Sequence, residues 1–173
     1  MPESVLSIIP ARKGSKGIPR KNLRELGDHP LVAHAITTSK ESSLIDHTVL
    51  TTDSQEIAQI GRQYDVNTVI NRPADLATDD VPLAPVIEHA FNQVDNRFEH
   101  ILCFQPTVPL ISSDSIDSGI RAGIQDEGDS VVFVRDSTHI YWREGQDGYE
   151  LVTSDRKNRQ QLDPIYEEIG VFL

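Results

Sequence analysis

The sequence predicts a three-layer α/β domain built on a mostly parallel sheet. Three observations lead there. Apolar runs of strand length alternate with segments whose apolar residues recur at helical spacing, which implies parallel pairing through helical crossovers. The chain has 173 residues, enough to bury a proper core in one domain. The first apolar run opens into a loop dense in glycine and basic residues, and ligands sit at the carboxyl ends of strands in such sheets.

Each element has its own signal. Residues 5–9 are apolar and read as the first strand. Leu31, Val32, Ala35 and Ile36 share one face of a helix starting near Pro30, a residue suited to a first turn. Residues 47–52 form the second strand, and Ile57, Ile60, Gly61 and Tyr64 line a helix capped by Asp53 or Ser54. Residues 66–70 are the third strand. Leu83, Val86, Ile87, Ala90, Phe91 and Val94 give the clearest helical rhythm. Residues 101–104 are the fourth strand, and Ile116, Ile120 and Ile124 mark a helix capped from Ser112-Ser113-Asp114. Residues 131–134 are the fifth strand. The rhythm then breaks. Tyr141-Trp142-Arg143 and Tyr149-Glu150-Leu151-Val152 suggest a hairpin around Gly145 and Gly148, residues 153–164 read as polar loop, and residues 169–173 are a last apolar run. With no repeat and no linker, one domain over residues 1–173 is expected, with an excursion at about 136–165.

Composition narrows the function. The formal net charge is −11 and the pI about 4.8, which argues against general nucleic-acid binding. No apolar run is long enough to span a bilayer, and residues 1–6 lack a secretory signal. Cys103 is the only cysteine, sits among apolar residues and reads as a small buried hydrophobe. A cytoplasmic protein is expected. The histidines show no pair spaced for zinc on one helix face, and no Gly-x-Ser-x-Gly turn marks an esterase.

The loop after the first strand is the strongest functional signal. It reads Ile9-Pro10-Ala11-Arg12-Lys13-Gly14-Ser15-Lys16-Gly17-Ile18-Pro19-Arg20-Lys21-Asn22, with two glycines and five basic residues. From Arg12 to Arg24 it contains no acidic residue, although the whole chain is strongly acidic. Glycine lets backbone N–H groups approach a ligand, and Arg and Lys neutralise a polyanion. A nucleoside triphosphate fits; the plain alternative is a solvated basic turn. The glycine spacing matches neither a Walker A loop nor a Gly-x-Gly-x-x-Gly fingerprint.

Four segments carry a resemblance. They are residues 9–22, Arg72-Pro73-Ala74-Asp75-Leu76-Ala77-Thr78-Asp79, Leu102-Cys103-Phe104-Gln105-Pro106-Thr107-Val108-Pro109-Leu110, and Arg159-Gln160-Gln161-Leu162. With them the chain resembles the acylneuraminate cytidylyltransferase family, the CMP-sialic acid synthetases. The resemblance implies a nucleotidyltransferase domain of the glycosyltransferase-A-like type. It implies transfer of CMP from CTP to a nine-carbon α-keto acid sugar, release of pyrophosphate, a need for Mg²⁺, and homodimers formed through the excursion. By the same resemblance Arg12 and Lys21 contact the triphosphate and act in catalysis. Ala11, Ser15 and Asn22 hold the nucleotide, and Arg72 and the backbone near Val81 border the cytidine. Leu83 stands where some relatives place a serine against the base. Gln105, Arg159 and Gln160 face the sugar. On the residues alone, Arg159 also reads as a solvated loop arginine, Gln105 as a strand-end group satisfying backbone, and Asp53 as a helix cap or a metal ligand.

Relatives carry further chain beyond the position of Leu173, including an Asp-x-Asp pair that binds Mg²⁺. The expectation is therefore a fragment or a short member, with Mg²⁺ held mainly by the triphosphate and no metal ligand supplied by these residues. Two rivals follow: another nonulosonic acid, of legionaminic or pseudaminic type, as the substrate, or a nucleotide-binding remnant without catalysis. The Kdo sugar is disfavoured, because those relatives differ at Gln105-Pro106-Thr107.

Overall fold

A computed structural model describes residues 4–94, 97–126, 128–152 and 156–173. It divides into two compact units. The first runs up to Val132 and takes back Gly170–Leu173; the second is Phe133–Ile169.

The first unit begins with β1 (Val5–Pro10), whose residues are almost all buried. A side-chain period of two sends Leu6 and Ile8 to one face, and Ser7, between them, to the other. Both faces must then be covered, as in a parallel sheet. Two short strands follow, β2 (Glu25–Leu26) and β3 (His29–Pro30), paired antiparallel, and then helix α1 (Leu31–Glu41). Pro30 is the residue before this helix rather than inside its first turn. Strand β4 (His47–Thr52) leads to α2 (Gln55–Gln63), whose cap is Ser54: its side chain accepts from Ile57 N–H. Strand β5 (Thr68–Asn71), helix α3 (Leu83–Phe91), strand β6 (His100–Phe104) and helix α4 (Ser113–Gln125, capped by Ser112) complete the alternation. Helix α3 stops before Val94, whose N–H closes a turn on the Phe91 carbonyl.

Strand β1 pairs parallel with β4 on one side and β6 on the other, and β4 pairs parallel with β5. Buried Leu6, Ile8, Val49 and Ile70 pack with Ala90 of α3, flanked by Ile87, Phe91 and Ile101. On the opposite face Ser7 hydrogen-bonds Ser39 of α1 at 2.9 Å, and α1 adjoins α2 and α4. The sheet is thus the middle of three layers. Cys103 lies in β6 and is 1% exposed; burial pushes its thiol pKa up to about 12, so it stays protonated.

The sheet differs from simple alternation in one respect. Strand β7 (Val132–Asp136) does not pair with β6; β10 (Tyr166–Phe172) intervenes, in the order β5-β4-β1-β6-β10-β7. Val171 and Phe172 pair antiparallel with Phe104 and Cys103. A last apolar run cannot reveal its partner or direction from its own residues. The strand signals at 66–70 and 131–134 shift to Thr68–Asn71 and Val132–Asp136.

Within the second unit, β8 (Trp142–Gly145) and β9 (Gly148–Leu151) form the expected hairpin, with Gly148 at φ 123 in its turn. Arg159–Gln161 form a 3-10 turn inside the segment expected to be loop, and residues 153–155 of that segment lie outside the described ones. This unit contains all of residues 136–165, where the excursion is expected. Trp142 and Tyr149 are exposed on its hairpin. No helix among the described residues is long and apolar enough to cross a membrane.

One buried carboxylate ties the helical layer. Asp117 of α4 accepts from the Ser42 and Ser43 hydroxyls and from Ser43 N–H at 3.1 Å, beyond the end of α1. Burial alone would raise its pKa; the hydrogen bonds from Ser42 and Ser43, with Arg121 nearby, bring it below the ordinary carboxylate value. Asp117→Ala is expected to lower unfolding stability by about 2 kcal/mol, the scale of losing hydrogen bonds to a charged group, read from urea midpoints at constant m value. Because the folded pKa is the lower one, the stabilisation is present above about pH 4 and is lost as pH falls through the folded value. The gap between wild type and Asp117→Asn should narrow over that range.

Candidate active site

The connectivity sets where a ligand fits. From β1 the chain moves outward through β4 and β5, then returns to place β6 on the other side of β1. The loops leaving β1 and β6 therefore diverge and open a crevice at the strand ends. A cleft of about 320 Å³ lies there, within the first unit.

The loop after β1 is folded by its own groups. Asn22 is 7% exposed, and its side-chain amide donates to the Arg12 carbonyl at 2.9 Å. Residues Lys21–Leu23 make a 3-10 turn, entered through Arg20 at φ 56. The left-handed residue is thus an arginine, paired with Glu56, rather than either glycine. At Gly14 and Gly17 nothing lies within 4 Å of where a Cβ would stand, so neither close packing nor a left-handed backbone calls for glycine there. Lys13 N–H donates to the Asp53 carboxylate at 2.7 Å, tying the loop to the end of β4. Of the two roles open to Asp53, the helix cap belongs to Ser54.

The structure brings Arg12, Ser15, Lys21, Asn22, Arg72, Val81 and Gln105 into the lining of this one cleft. Leu83 lines it as well, and with Leu76 and Val86 supplies an apolar wall. Ala11 is not among the lining residues; it is fully buried, and its N–H donates to the Thr51 carbonyl at 3.0 Å. Arg159 and Gln160 belong to the 3-10 turn of the second unit; Gln160 is exposed, and the Arg159 side chain lies outside the described part.

Arg72 is the buried cation of the site, 5% exposed. Its guanidinium donates to the Thr51 carbonyl at 2.8 Å and more weakly to the Thr51 hydroxyl at 3.4 Å. Burial lowers its pKa to about 10, Asp53 acts against that, and the charge of Arg12 adds to it. Two guanidinium groups that feel each other make a place favourable to an anion. One carboxylate enters the cleft: Asp79 pairs with Arg12, and with Lys16 at 3.5 Å. Its pKa is lowered, first by the hydrogen bond from Arg12.

Gln105 is held from an unexpected side. Its N–H donates to the Gly170 carbonyl at 3.1 Å, and Gly170 has φ 73. A Cβ at Gly170 would stand 3.2 Å from Gln105 Nε2. Sequence reasoning gave Gly170 and Asp79 no role. A lone glycine in an apolar strand is the signal that marks such close approach; Asp79 carries none, since surface loops commonly hold an Asp-Asp pair.

Among the described residues, no three of His, Cys, Asp or Glu stand together as a metal site. The cleft therefore offers cations on one side, an apolar wall on another, and the amide of Gln105 after β6. Such a lining suits a base carrying phosphates.

A family model described as cytidylyltransferase matches residues 6–160. The chain belongs to the cytidylyltransferase family. Among relatives of this chain, CMP-N,N'-diacetyllegionaminic acid synthase of Legionella pneumophila is 40% identical over 121 residues, covering 68% of this chain and 52% of that one. Pseudaminic acid cytidylyltransferase of Campylobacter jejuni is 27% identical over 176 residues, covering 96% and 76%. N-acylneuraminate cytidylyltransferase of Escherichia coli is 34% identical over 121 residues, covering 70% and 28%. The chain thus spans about half the length of the Legionella relative. The structure of CMP:2-keto-3-deoxy-manno-octonic acid synthetase complexed with CTP superposes with a TM-score of 0.72 over 98% of this chain and 73% of that one, at 13% identity. That likeness shows the fold: the nucleotidyltransferase α/β architecture with a mostly parallel sheet.

Gly170→Ala is expected to cost about 1–2 kcal/mol of stability, the scale for forcing an L-residue into left-handed backbone, measured by urea unfolding. Gly170→Asn should cost less, because asparagine tolerates that conformation.

Proposed function

We propose that this chain binds CTP in the β1–β6 cleft and transfers its CMP group to a nonulosonic acid, releasing pyrophosphate. One observation carries the reading: the cations of the β1 loop and the Gln105-Pro106-Thr107 turn after β6 line the same cleft, beside an apolar wall. The relatives' activities support the choice of nucleotide and acceptor.

The anomeric hydroxyl of the sugar attacks the α-phosphorus of CTP. A bond forms between that oxygen and phosphorus, the bond from phosphorus to the bridging oxygen breaks, and the hydroxyl proton leaves to solvent. Negative charge grows on the phosphoryl oxygens and on the departing pyrophosphate. The protein's part is positioning and charge neutralisation. Arg12 spans two phosphate oxygens as only a guanidinium does, and Lys21 adds a compact charge. Ser15 hydrogen-bonds the nucleotide, while Asn22 acts through the loop it closes on the Arg12 carbonyl. Ala11, with its N–H engaged by Thr51, contributes by setting the loop's departure from β1. Arg72 and the backbone near Val81 border the cytidine, with Leu83 packing on the base. Gln105 and Gln160 contact the sugar, and Arg159 recognises its carboxylate.

Mg²⁺ belongs to this reading. The nearby carboxylates are engaged, Asp53 by Lys13 N–H and Asp79 by Arg12 and Lys16. These residues fit a magnesium ion carried on triphosphate oxygens and water better than one caged by side chains. When bound, the ion supplies Lewis-acid neutralisation of the phosphates. Homodimer formation through the excursion at about 136–165 also belongs to the proposal, as do the cytoplasmic setting and the absence of nucleic-acid and membrane partners.

N-acylneuraminate is the acceptor put first by the sequence resemblance. The 40% identity to the legionaminic relative favours a second reading, a legionaminic-type acid. Pyrophosphate release with CTP and a panel of nonulosonic acids separates the two, and no release with any acid would leave a nucleotide-binding remnant. Arg12→Ala is expected to reduce turnover about 100-fold or more, the scale of losing one charge-stabilising donor. Wild-type-like turnover by that variant, or equal use of ATP, would sink the assignment. Arg159→Ala should raise the sugar KM far more than the CTP KM, with Arg159→Lys recovering only part; two unchanged KM values would move the carboxylate site elsewhere.

A further inference from the structure

We propose that Asp79 is an internal counter-anion of the triphosphate subsite, competing with polyphosphate for Arg12 and Lys16 and thereby promoting pyrophosphate release. The inference rests on the function proposed above and adds a residue to which that mechanism gives no task.

After β5 the chain makes a 3-10 turn at Ala74–Leu76, closed by hydrogen bonds from Leu76 N–H to Pro73 and from Ala77 N–H to Ala74. That turn aims the following loop back at the β1 loop before α3 begins. Asp79 thereby reaches two cations from the far side of the cleft, Arg12 directly and Lys16 at 3.5 Å. The three side chains are neither buried nor free: Arg12 is 30% exposed, Asp79 34% and Lys16 71%. A pair in such a setting is weak enough to exchange with another anion, yet strong enough to bias the exchange. The lowered pKa of Asp79 agrees with a carboxylate that stays charged in this role.

Chemistry then gives the direction. A carboxylate and a phosphate oxygen use the same guanidinium donors, and like charges at one site oppose each other. A triphosphate brings several charges and can reach Lys21 as well, so it prevails. Once the bond to the α-phosphorus breaks, pyrophosphate is no longer anchored by the base, and the carboxylate regains its cations. Asp79 should therefore weaken pyrophosphate binding, which is useful in an enzyme that must discard that product. Asp80 provides a control: it is exposed and has the same charge one residue away, and Arg12 and Lys16 pair with its neighbour.

The test is calorimetric titration of inorganic pyrophosphate into the full chain without divalent metal, for wild type, Asp79→Asn, Asp79→Glu and Asp80→Asn. Asp79→Asn should bind pyrophosphate at least about threefold more tightly, the scale of removing a partly exposed competing charge. Asp79→Glu should stay near wild type, and Asp80→Asn should change less than half as much as Asp79→Asn on a logarithmic scale. Unchanged or weaker binding by Asp79→Asn would overturn the proposal by making Asp79 a bystander or a helper of the anion. Equal tightening in Asp80→Asn would overturn it too, since the cause would then be overall charge. Turnover is not needed for this titration, so failure of the proposed transferase reaction would show separately in the pyrophosphate-release assay.

Discussion

The carbonyl of Thr51, at the end of β4, accepts from Ala11 N–H and from the Arg72 guanidinium. Two loops of the cleft thus meet at one buried oxygen, and both of its lone pairs are used. Buried polar groups must be paired, so neither loop can shift without leaving a costly unsatisfied atom. Ala11 sets how the basic loop leaves β1. Arg72 sets how the chain leaves β5, assisted by its own N–H on the Thr52 carbonyl. The positions of Arg12, one residue beyond Ala11, and of the turn leading to Asp79 both descend from this junction.

Charge follows from the same arrangement. A chain with net charge −11 gathers cations where the strand ends converge. Arg72 is buried, and its pKa falls to about 10 because burial outweighs the help of Asp53. Arg12 opposes it further, so the cleft holds positive charge that protein groups do not fully neutralise. Lys13 and Asn22 use backbone and amide atoms to hold the loop, while Arg12 and Lys21 line the cleft. Loop stability and anion recognition are thereby assigned to different atoms.

The basic loop also shows how glycine acts in this site. The left-handed residue is Arg20, anchored by Glu56, while Gly14 and Gly17 have open space where a Cβ would stand. At Gly170 the opposite holds: a positive φ coincides with a close neighbour, Gln105. A residue from the last strand thereby shapes the turn after β6, far from it in the sequence.

The sequence alone determined the alternation of strands and helices, the short segments that hold the helix caps, the hairpin, and the basic loop. These are local: periodicity, capping chemistry and charge density are properties of neighbouring residues. The same holds for most of the cleft, because loops after parallel strands gather at one end of the sheet whatever the strand order. Only the tertiary structure decided that β10 stands antiparallel between β6 and β7, since a short apolar run has no partner written in it. Only it showed that Ala11 is buried against Thr51, that Gly170 touches Gln105, and that Asp79 pairs with Arg12 and Lys16. Each of these is a contact between residues distant in the chain, and side-chain chemistry gives the capacity for such a contact but not the partner.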